Sequence, residues 1–540
     1  MRVKSPCVRV ATALAVTACL FGSGPGLSAF GQEKPAPTTL PQQSQTPINA
    51  AGAPTTLKVT ADEAVRMALE NNLGVKADRL GPQVETYNLA SARAAYGLNL
   101  VSQTFTNNSS SLSGDFTTAG TLTNETLRSN GGLQQLVPWG GGRYSVGMDA
   151  SRRSSNSPTD TFSPRLDATV SGSYVQPLLR NFKIDQTRQN IMVSQKRQET
   201  ADIQLRQDLT QMTRTVRNAY FNLVNAMGAY DVAVKSLDLA RTAYKNNQRR
   251  VEVGTMAPID IVQAEAEVAS TEEQVIVTQG QIQQAEDNLR VLIMSPSQPD
   301  FWTTKLEPAD KPTLTPQAID VDAAIKNALT NRTDIAAARK QLETADISQR
   351  YLKNQKLPAV DLTAAYSAIG YAGTQREFDR SSFDPIIINQ TVRSFGSSVR
   401  QAFGSDFKTW SLTLNVSYPI GTSAADASLA ATRLQIEQGQ TNLRDLETFV
   451  VAQVRDAARQ VATSLKRVET TQKARQLAEQ NLQAYEKRLA VGLTDTFQLF
   501  QAQRDLTRQL NNELAAIISY NRALINFEAV QSVPSGGSSF

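Results

Sequence analysis

A twenty-residue segment centred on a glycine occurs twice, as "RRVEVGTMAPIDIVQAEAEV" (249–268) and "KRLAVGLTDTFQLFQAQRDL" (487–506). At an offset of 238 positions, the shared residues are Arg250, Val253, Gly254, Gln263 and Ala264 in the first copy, matching Arg488, Val491, Gly492, Gln501 and Ala502 in the second. Glycine readily takes the left-handed conformation that ends a helix. We therefore predict that Gly254 and Gly492 are the tips of two long helical hairpins, with Pro258 and Thr496 opening the returning helices.

The sequence before each tip is typical of a very long helix. No proline interrupts residues 178–257 or 420–533. From Leu205 to Tyr244, apolar or small residues recur at alternating steps of four and three, which predicts left-handed coiled packing. A helix over about seventy residues would be about 100 Å long, which is far more than one soluble domain requires.

Two internal repeats organise the chain. The stretch "TADEAVRMALENNLGVKADR" (60–79) recurs as "DVDAAIKNALTNRTDIAAAR" (320–339), and each is expected to open a helix that continues to about residue 97 or 357. The expected divisions are a flexible linker at 32–58, a first repeat at 59–297, a connector at 298–319, a second repeat at 320–531 and a disordered tail at 532–540. The hairpins are expected at about 183–295 and 424–530.

The middle of each repeat alternates with a period of two. In "WSLTLNVSY" (410–418) and "LDATVSGSY" (166–174), apolar residues lie on one face and small polar residues on the other. This pattern predicts strands over about 98–177 and 358–419. A soluble sandwich or a barrel with its apolar face in lipid would both produce it.

The segment "GGLQQLVPWGGGRYSVGMDAS" (131–151) lies in the longer first repeat and is predicted to form strand, turn and strand. Three outcomes are open for it. It could extend the barrel strands, fold as an extracellular hairpin, or add a pair of strands to the barrel.

The first residues are typical of an export signal, with a basic start followed by a short apolar core. Cleavage after Gly31 would make residues 1–31 a signal peptide, whereas a lipobox at 16–19 would make 1–18 the signal and leave Cys19 acylated. Either processing takes the protein out of the cytoplasm. No later stretch has the apolar length of a spanning helix, so a membrane crossing would require a barrel.

The composition excludes several classes of chemistry. The chain has no histidine and only two cysteines, Cys7 and Cys19. Imidazole catalysis and cysteine–histidine metal sites are therefore not available. The net charge of +5 comes from interspersed basic and acidic residues, which gives no nucleic-acid-binding tail. We expect no enzyme activity, no cofactor, no metal and no nucleic-acid partner.

The sequence resembles the TolC family of outer-membrane efflux proteins. The resemblance rests on the twin openings of the repeats, on "YVQPLLRNF" (174–182) and "VSYPIG" (416–421), and on the paired tips. It implies an α+β membrane protein, in which a homotrimer completes an outer-membrane β-barrel of twelve strands, four from each chain. A periplasmic coiled-coil tunnel would continue the barrel.

The resemblance also implies a function. The protein would be a passive exit duct of a tripartite efflux or type I secretion system, for small molecules or polypeptides. Its partners would be outer-membrane lipid, a periplasmic adaptor and an inner-membrane pump. A structural periplasmic coiled-coil protein with a small β domain is the alternative, and extraction behaviour would separate the two.

Site residues follow from the resemblance at the tips. The motif that contacts the adaptor matches Val253, Gly254, Thr255, Val491, Gly492 and Leu493. At the periplasmic aperture, the acidic ring of the family falls on Gln498 and Gln501, and an expected arginine falls on Thr494. Asp260 is retained. We therefore expect this aperture to show weak cation selectivity.

Overall fold

The computed structural model describes residues 56–112, 120–310, 318–379, 386–421 and 423–533. The export signal, Cys19 and most of the expected linker lie outside the described residues. The described chain divides into two compact units. The sheet unit contains residues 90–192 and 347–433, and the helical unit contains residues 56–89, 193–346 and 434–533.

The described residues form nine strands. They are β1 (Thr56–Val59), β2 (Asn99–Leu112), β3 (Thr121–Leu136), β4 (Arg143–Ser155), β5 (Phe162–Pro177), β6 (Lys305–Pro308), β7 (Ala359–Phe378), β8 (Ile387–Arg393) and β9 (Phe407–Ser417). β1 and β6 form a parallel pair, and the other seven strands form one antiparallel sheet.

The described residues also form ten α-helices. They are α1 (Ala61–Asn71), α2 (Leu73–Asp78), α3 (Gly81–Arg93), α4 (Gln186–Glu252), α5 (Ile259–Ile293), α6 (Val321–Asn331), α7 (Thr333–Gln355), α8 (Phe395–Gly404), α9 (Ala424–Ala490) and α10 (Thr496–Val530). Within the described part of the chain, no helix has a stretch apolar and long enough to cross a membrane.

The seven strands of the large sheet occupy six positions, in the order β2, β3, β4, β5, β7 and then β8 with β9. One edge of β7 pairs with β5 over residues 361–375. β9 pairs with β7 over 359–369, and β8 pairs with it over 373–378. Because both stretches overlap the β5 pairing, β8 and β9 share the other edge of β7.

The segment 131–151 adds a pair of strands to the sheet, which is one of the three outcomes that the sequence left open. Its residues belong to β3 and β4, which lie between β2 and β5. The four strands per chain implied by the family resemblance are therefore wrong for this chain. The β3–β4 hairpin is inserted within the first set of strands, and α8 divides the last position into two strands.

The turn between β3 and β4 is fixed against the chain that follows β5. Gly140 and Gly141 have φ angles of 67° and 68°, a region that favours glycine. A β-carbon on Gly141 would overlap the carbonyl oxygen of Asn181. The amide of Gln176 donates to the carbonyl of Gly140 at 2.8 Å. The inserted hairpin is thus anchored at the end of the sheet where strands join helices.

The long helices follow the predicted heptad. α4 and α9 each contain 67 residues and run without a break, as expected for sequence without proline. Heptad positions of α4 that are buried are Val216, Leu223, Ala226, Ala233 and Ala240. The small side chains among them allow close approach of neighbouring helices.

The opening helix of each repeat is broken, so the predicted continuous helices are wrong. In the first repeat, α1 stops at Asn72, whose side chain accepts hydrogen bonds from the backbone amides of Gly74 and Val75 and so starts α2. The second repeat breaks once, at Arg332 between α6 and α7. Asparagine competes with the helix backbone for hydrogen bonds, and the periodic pattern does not report that competition.

A tyrosine in the helical unit joins the buried core between α1 and α4 to the connector. Tyr220 is fully buried, and its hydroxyl donates to Asp310 Oδ2 at 3.3 Å. Burial raises the pKa of Tyr220 to about 12, so it stays a neutral donor at physiological pH. The same Asp310 oxygen accepts the backbone amide of Ala61 at 2.9 Å, which satisfies the start of α1.

Two ends of the predicted divisions need correction. Residues 56–58 of the expected linker belong to β1, because they pair with β6 from the connector. In the expected tail, Ser532 accepts a backbone hydrogen bond from Thr333 at 3.1 Å, and Val533 is buried. Apolar packing therefore holds the tail as far as Val533, and residues 534–540 lie outside the described part.

Candidate functional site

The first tip ends α4 with a Schellman turn at Gly254. The amide of Gly254 donates to the carbonyl of Val251 at 2.9 Å, and the amide of Thr255 donates to the carbonyl of Arg250 at 2.8 Å. Gly254 has a φ of 77°. The hydroxyl of Thr255 donates to the same Arg250 carbonyl at 2.9 Å. These bonds satisfy carbonyls that the helix end would otherwise leave free.

The second tip repeats this geometry at the end of α9. The amide of Gly492 donates to the carbonyl of Leu489 at 3.2 Å, and the amide of Leu493 donates to the carbonyl of Arg488 at 2.9 Å. Gly492 has a φ of 75°. The two tips therefore have the same backbone conformation, and each turns at one of the two glycines identified in the sequence.

Apolar side chains are exposed at both tips. Val253 is 73% exposed, Val491 is 69% exposed and Leu493 is 77% exposed. Each stands directly beside the turn glycine. Exposed apolar side chains clustered at the end of a rigid element are suited to contact another protein.

The helices that return from the tips begin differently. α10 begins at Thr496, and Asp495 caps it by accepting the amide of Gln498 at 2.9 Å. α5 begins after Pro258, which occupies the cap position without a side-chain hydrogen bond. Pro258 thus precedes the first helical residue, whereas Thr496 opens its helix as predicted.

The residues assigned to the aperture on α10 are satisfied by neighbours on the same hairpin. The hydroxyl of Thr494 donates to Gln498 Oε1 at 2.7 Å. Gln501 Oε1 accepts from Arg504 Nη2 at 3.1 Å. Neutral amides therefore stand at the two positions, and a cationic side chain lies one turn beyond them.

Side-chain contacts join the hairpins near the tips. The hydroxyl of Thr496 donates to Asp260 Oδ1 at 3.2 Å. Farther from the tips, Arg504 Nη1 forms an ion pair with Glu267 Oε2 at 2.8 Å. Asp260 also lies in the first turn of α5, where a carboxylate is favoured by the helix dipole. The structure thus brings Asp260 to the second hairpin, through a partner that the sequence did not suggest.

Sequence reasoning missed the roles of Glu267, Thr496 and Arg504, although a signal was present. The bonded residues are separated by 236 and 237 positions, and a third contact between the hairpins, from Arg250 to the Leu489 carbonyl, spans 239. All three separations lie within two of the repeat offset of 238. The offset that relates the repeats therefore also predicts which residues stand at the same height on the two hairpins.

The second functional surface is the large sheet, whose two faces differ in chemistry. On β9, a row of large apolar side chains lies on one face and is more than half exposed. The row consists of Trp410, Leu412, Leu414 and Val416. Through the register it shares this face with Leu362 and Tyr366 of β7, which pair with Leu414 and Trp410.

On β3 to β5, the opposite face of the sheet carries ion pairs. Arg128 on β3 and Asp149 on β4 form an ion pair of 2.6 Å, and Arg165 and Asp167 on β5 form one of 2.8 Å. The hydroxyls of Ser145 on β4 and Ser173 on β5 form a hydrogen bond of 2.8 Å on the same face. On β9 and its partner residues of β7, one face therefore suits an apolar surrounding, whereas the ion pairs on β3 to β5 suit water on the other face.

Comparison with solved structures shows the fold. The outer membrane channel CmeC of Campylobacter jejuni is 14% identical, with a TM-score of 0.63 over 94% of this chain and 94% of that one. The outer membrane protein VceC of Vibrio cholerae is 15% identical, with a TM-score of 0.60 over 87% and 96%. The outer membrane channel MtrE of Neisseria gonorrhoeae, in its open state, is 16% identical, with a TM-score of 0.60 over 92% and 98%.

Comparison of sequences settles the family. No curated protein sequence matches the chain. The family model described as "Outer membrane efflux protein" matches residues 143–293 and 324–530, which is more than half of the chain. The matched ranges cover parts of both repeats and both tips. The chain belongs to the outer membrane efflux protein family, whose members form channels, and it is an outer-membrane protein with its helical part in the periplasm.

Proposed function

We propose that this protein is the passive exit duct of a tripartite efflux or type I secretion assembly, for small molecules or polypeptides. The observation that carries the proposal is the sheet with one exposed apolar face and one charged face. The apolar row from Trp410 to Val416 suits lipid, and the ion pair between Arg128 and Asp149 suits a water-filled lumen.

In this proposal, the duct is a homotrimer. A membrane sheet with free edges leaves backbone groups without partners in the apolar layer, so several copies must pool their strands into a closed barrel. The helical hairpins of the three copies would form a periplasmic tunnel. The chain would bind no nucleotide, and the energy would come from an inner-membrane pump.

The tips are the proposed contact point for the periplasmic adaptor. The exposed side chains of Val253, Val491 and Leu493 supply the apolar contact, and the two glycine turns hold them in place. The polar contacts between the hairpins, such as Arg504 with Glu267, would hold the aperture closed until an adaptor docks. Opening is then a shift between two packed arrangements of the hairpins.

Single-channel conductance in planar bilayers tests the function and the position of the aperture together. The purified wild type is compared with the double variant Gln498→Asp/Gln501→Asp. We expect the wild type to insert as a trimer and to conduct with weak cation preference. The variant should gain cation selectivity or block by multivalent cations, because three copies would place six carboxylates around the narrowest point. The matched control is Gln509→Asp, on the same helix but farther from the tip.

Each outcome has a distinct meaning. A protein that stays in solution without detergent and never conducts would replace the channel with the structural coiled-coil alternative. Conductance that the double variant leaves unchanged would keep the channel and remove the aperture from Gln498 and Gln501. An equal effect of Gln509→Asp would show that the charge acts along the whole tunnel.

A further inference from the structure

We infer that three copies of this chain close a barrel of eighteen strand positions rather than twelve, with β2 of each copy pairing with β9 of the next. The inference rests on the proposed trimeric channel and specifies its wall. Each copy supplies six positions, because β8 and β9 share the last one.

The inserted hairpin is part of this wall. β3 pairs with β2 along the whole length of β2, from Asn99 to Leu112, and β4 pairs with β5 from Arg143 to Arg153. A wall without the hairpin would have to break both sets of backbone hydrogen bonds. The anchored turn at Gly140 and Gly141 further holds the hairpin in the sheet.

The faces of the inserted strands also match the wall. On β4, Val146 and Met148 share the apolar face of the sheet, because they lie opposite Gly172 and Val170 of β5. Asp149 points to the polar face, where it meets Arg128 of β3. Strands of a transmembrane barrel alternate in this way between lipid and lumen.

The two edges of the sheet suit each other. Every residue of β2 is exposed, and so is every residue of β8 and β9. Because the sheet has an even number of antiparallel positions, its first and last strands run in opposite directions. A copy placed beside another therefore continues the antiparallel pattern, and three copies close a ring without any parallel pair.

The register fixes the tilt of the strands. A row perpendicular to the strands passes through Asn99, Gln134, Ser145, Ser173, Ala365 and Ser411. The row starts at Asn99, the first residue of β2, and reaches β9 at Ser411. Ser411 lies six residues before Ser417, the last residue of β9. Suppose that the strand ends that join the helices lie at the same height around the ring. The row of paired residues then shifts by six residues along the strands for each copy of six strand positions.

The shear of a barrel is the total shift of this row after one full turn around the ring. For three copies the shear is eighteen residues, which equals the number of strand positions. A closed barrel of eight strands with a shear of eight tilts its strands by about 36°. The same ratio here gives about the same tilt, within the roughly 35–45° of outer-membrane barrels. The register of a single chain thus agrees with closure at eighteen positions.

Closure with level ends predicts the contact between copies. Asn99 of one copy would lie opposite Ser417 of the next, and Ser102 would lie opposite Leu414. Ser102 shares the apolar face, since it follows Leu100 by two residues, and Leu414 is on that face too. The two opposed side chains would therefore lie on the same face of the wall. At equal tilt, eighteen positions would make the barrel about 1.5 times as wide as twelve.

Direct imaging of the wild-type trimer in lipid nanodiscs by electron cryomicroscopy counts the strands. We expect eighteen. A trimeric channel with twelve strands and the β3–β4 hairpin outside the wall would overturn the inference and leave the proposed function intact. A protein that forms no trimer and no channel would overturn both.

A deletion of residues 121–155 provides the matched comparison. It removes β3, the turn and β4, keeps a loop between β2 and β5, and leaves an even number of positions. We expect twelve strands and a lower single-channel conductance with the helical part unchanged. A deletion variant that keeps the wild-type conductance would contradict a wall built from the hairpin, if the barrel limits the current. The strand count on the wild type decides the case if the variant fails to fold.

Cysteine cross-linking tests the contact between copies. The only cysteines of the sequence are Cys7 and Cys19, and on either expected processing Cys19 would be removed or acylated, so introduced pairs have little background. Ser102→Cys with Leu414→Cys should give covalent trimers after oxidation, because opposed β-carbons are close enough for a disulfide. Ser102→Cys with Thr413→Cys is the control and should not, because a shift of one residue turns the side chain to the other face. The reverse result would reject this register.

Discussion

The two helical tips share one way of ending a helix and differ in how the next helix begins. Gly254 and Gly492 have nearly the same φ, and the same pair of backbone bonds closes each turn. The returning helix of the second hairpin has a carboxylate cap at Asp495, whereas the first begins after Pro258 without one. The two tips therefore share the glycine turn, which sets the direction in which the chain leaves the long helix.

The difference shows which features of the tips are interchangeable. The positions beside each glycine carry valine in both copies, but the next residue is Thr255 in one and Leu493 in the other. The hydroxyl of Thr255 donates to the Arg250 carbonyl, whereas the apolar side chain of Leu493 is exposed. Directly beside the glycine, the second tip therefore has two exposed apolar side chains and the first tip has one.

The largest expected effect comes from removing the shared feature. Gly254→Ala and Gly492→Ala should each destabilise the tip by about 1–2 kcal/mol, because an L-residue with a side chain disfavours the left-handed conformation. Among the described residues beyond the chain neighbours, no atom would lie within 4 Å of a β-carbon at either glycine, so the backbone conformation determines the cost. Hydrogen exchange of the tip amides measures it. Unequal losses at the two tips would show that their turns are not equivalent.

The next effect separates the two tips. Asp495→Ala removes the side-chain acceptor for the Gln498 amide and should cost the second hairpin about 1 kcal/mol. Pro258→Ala is the matched change at the first hairpin and removes no hydrogen bond. Local exchange rates at the start of α10 and α5 check both. The comparison breaks down if Asp495→Asn, which keeps an acceptor, is as damaging as Asp495→Ala.

The smallest effect concerns the link between the hairpins. Arg504 and Glu267 form an ion pair in which the arginine is 44% exposed, so solvent screening limits its contribution to about 0.5 kcal/mol. A double-mutant cycle with Arg504→Met and Glu267→Gln should yield a coupling that falls as salt rises. Channel open probability without an adaptor is the functional readout. A coupling that salt leaves unchanged would mean that packing, rather than charge, joins the hairpins.

Much of the fold is visible in the sequence, because it depends on periodic patterns. The heptad before Gly254 predicts the unbroken α4, and the alternation at 410–418 predicts β9. Breaks that depend on a single capping side chain are harder to see, as at Asn72, which divides the first opening helix. Whether the segment 131–151 joins the sheet is a matter of long-range register, and local alternation carries no information about it.

Less of the candidate site could be predicted. The glycines and exposed apolar residues of the tips follow from the repeat, because helix termination is local. The partners of Asp260 and Glu267 depend on which faces of two hairpins meet, and the pattern of a single helix does not supply this. Thr496 and Arg504 become predictable only when the repeat offset is used as a rule for matching heights. The assignment of Gln498 and Gln501 to the aperture stays a prediction.

The pairing of β5 with β7 has a consequence for the order in which the protein can fold. These neighbours in the sheet are separated by both helices of the first hairpin, so Ser173 meets Ala365 only after nearly two hundred further residues have been exported. β2 to β5 can pair with one another as soon as they are exported, but the other edge of β5 stays unpaired until β7 follows. Contacts so distant in sequence slow folding, and a waiting strand edge invites aggregation. The first repeat is therefore expected to leave one edge of β5 unpaired until the second repeat has been exported.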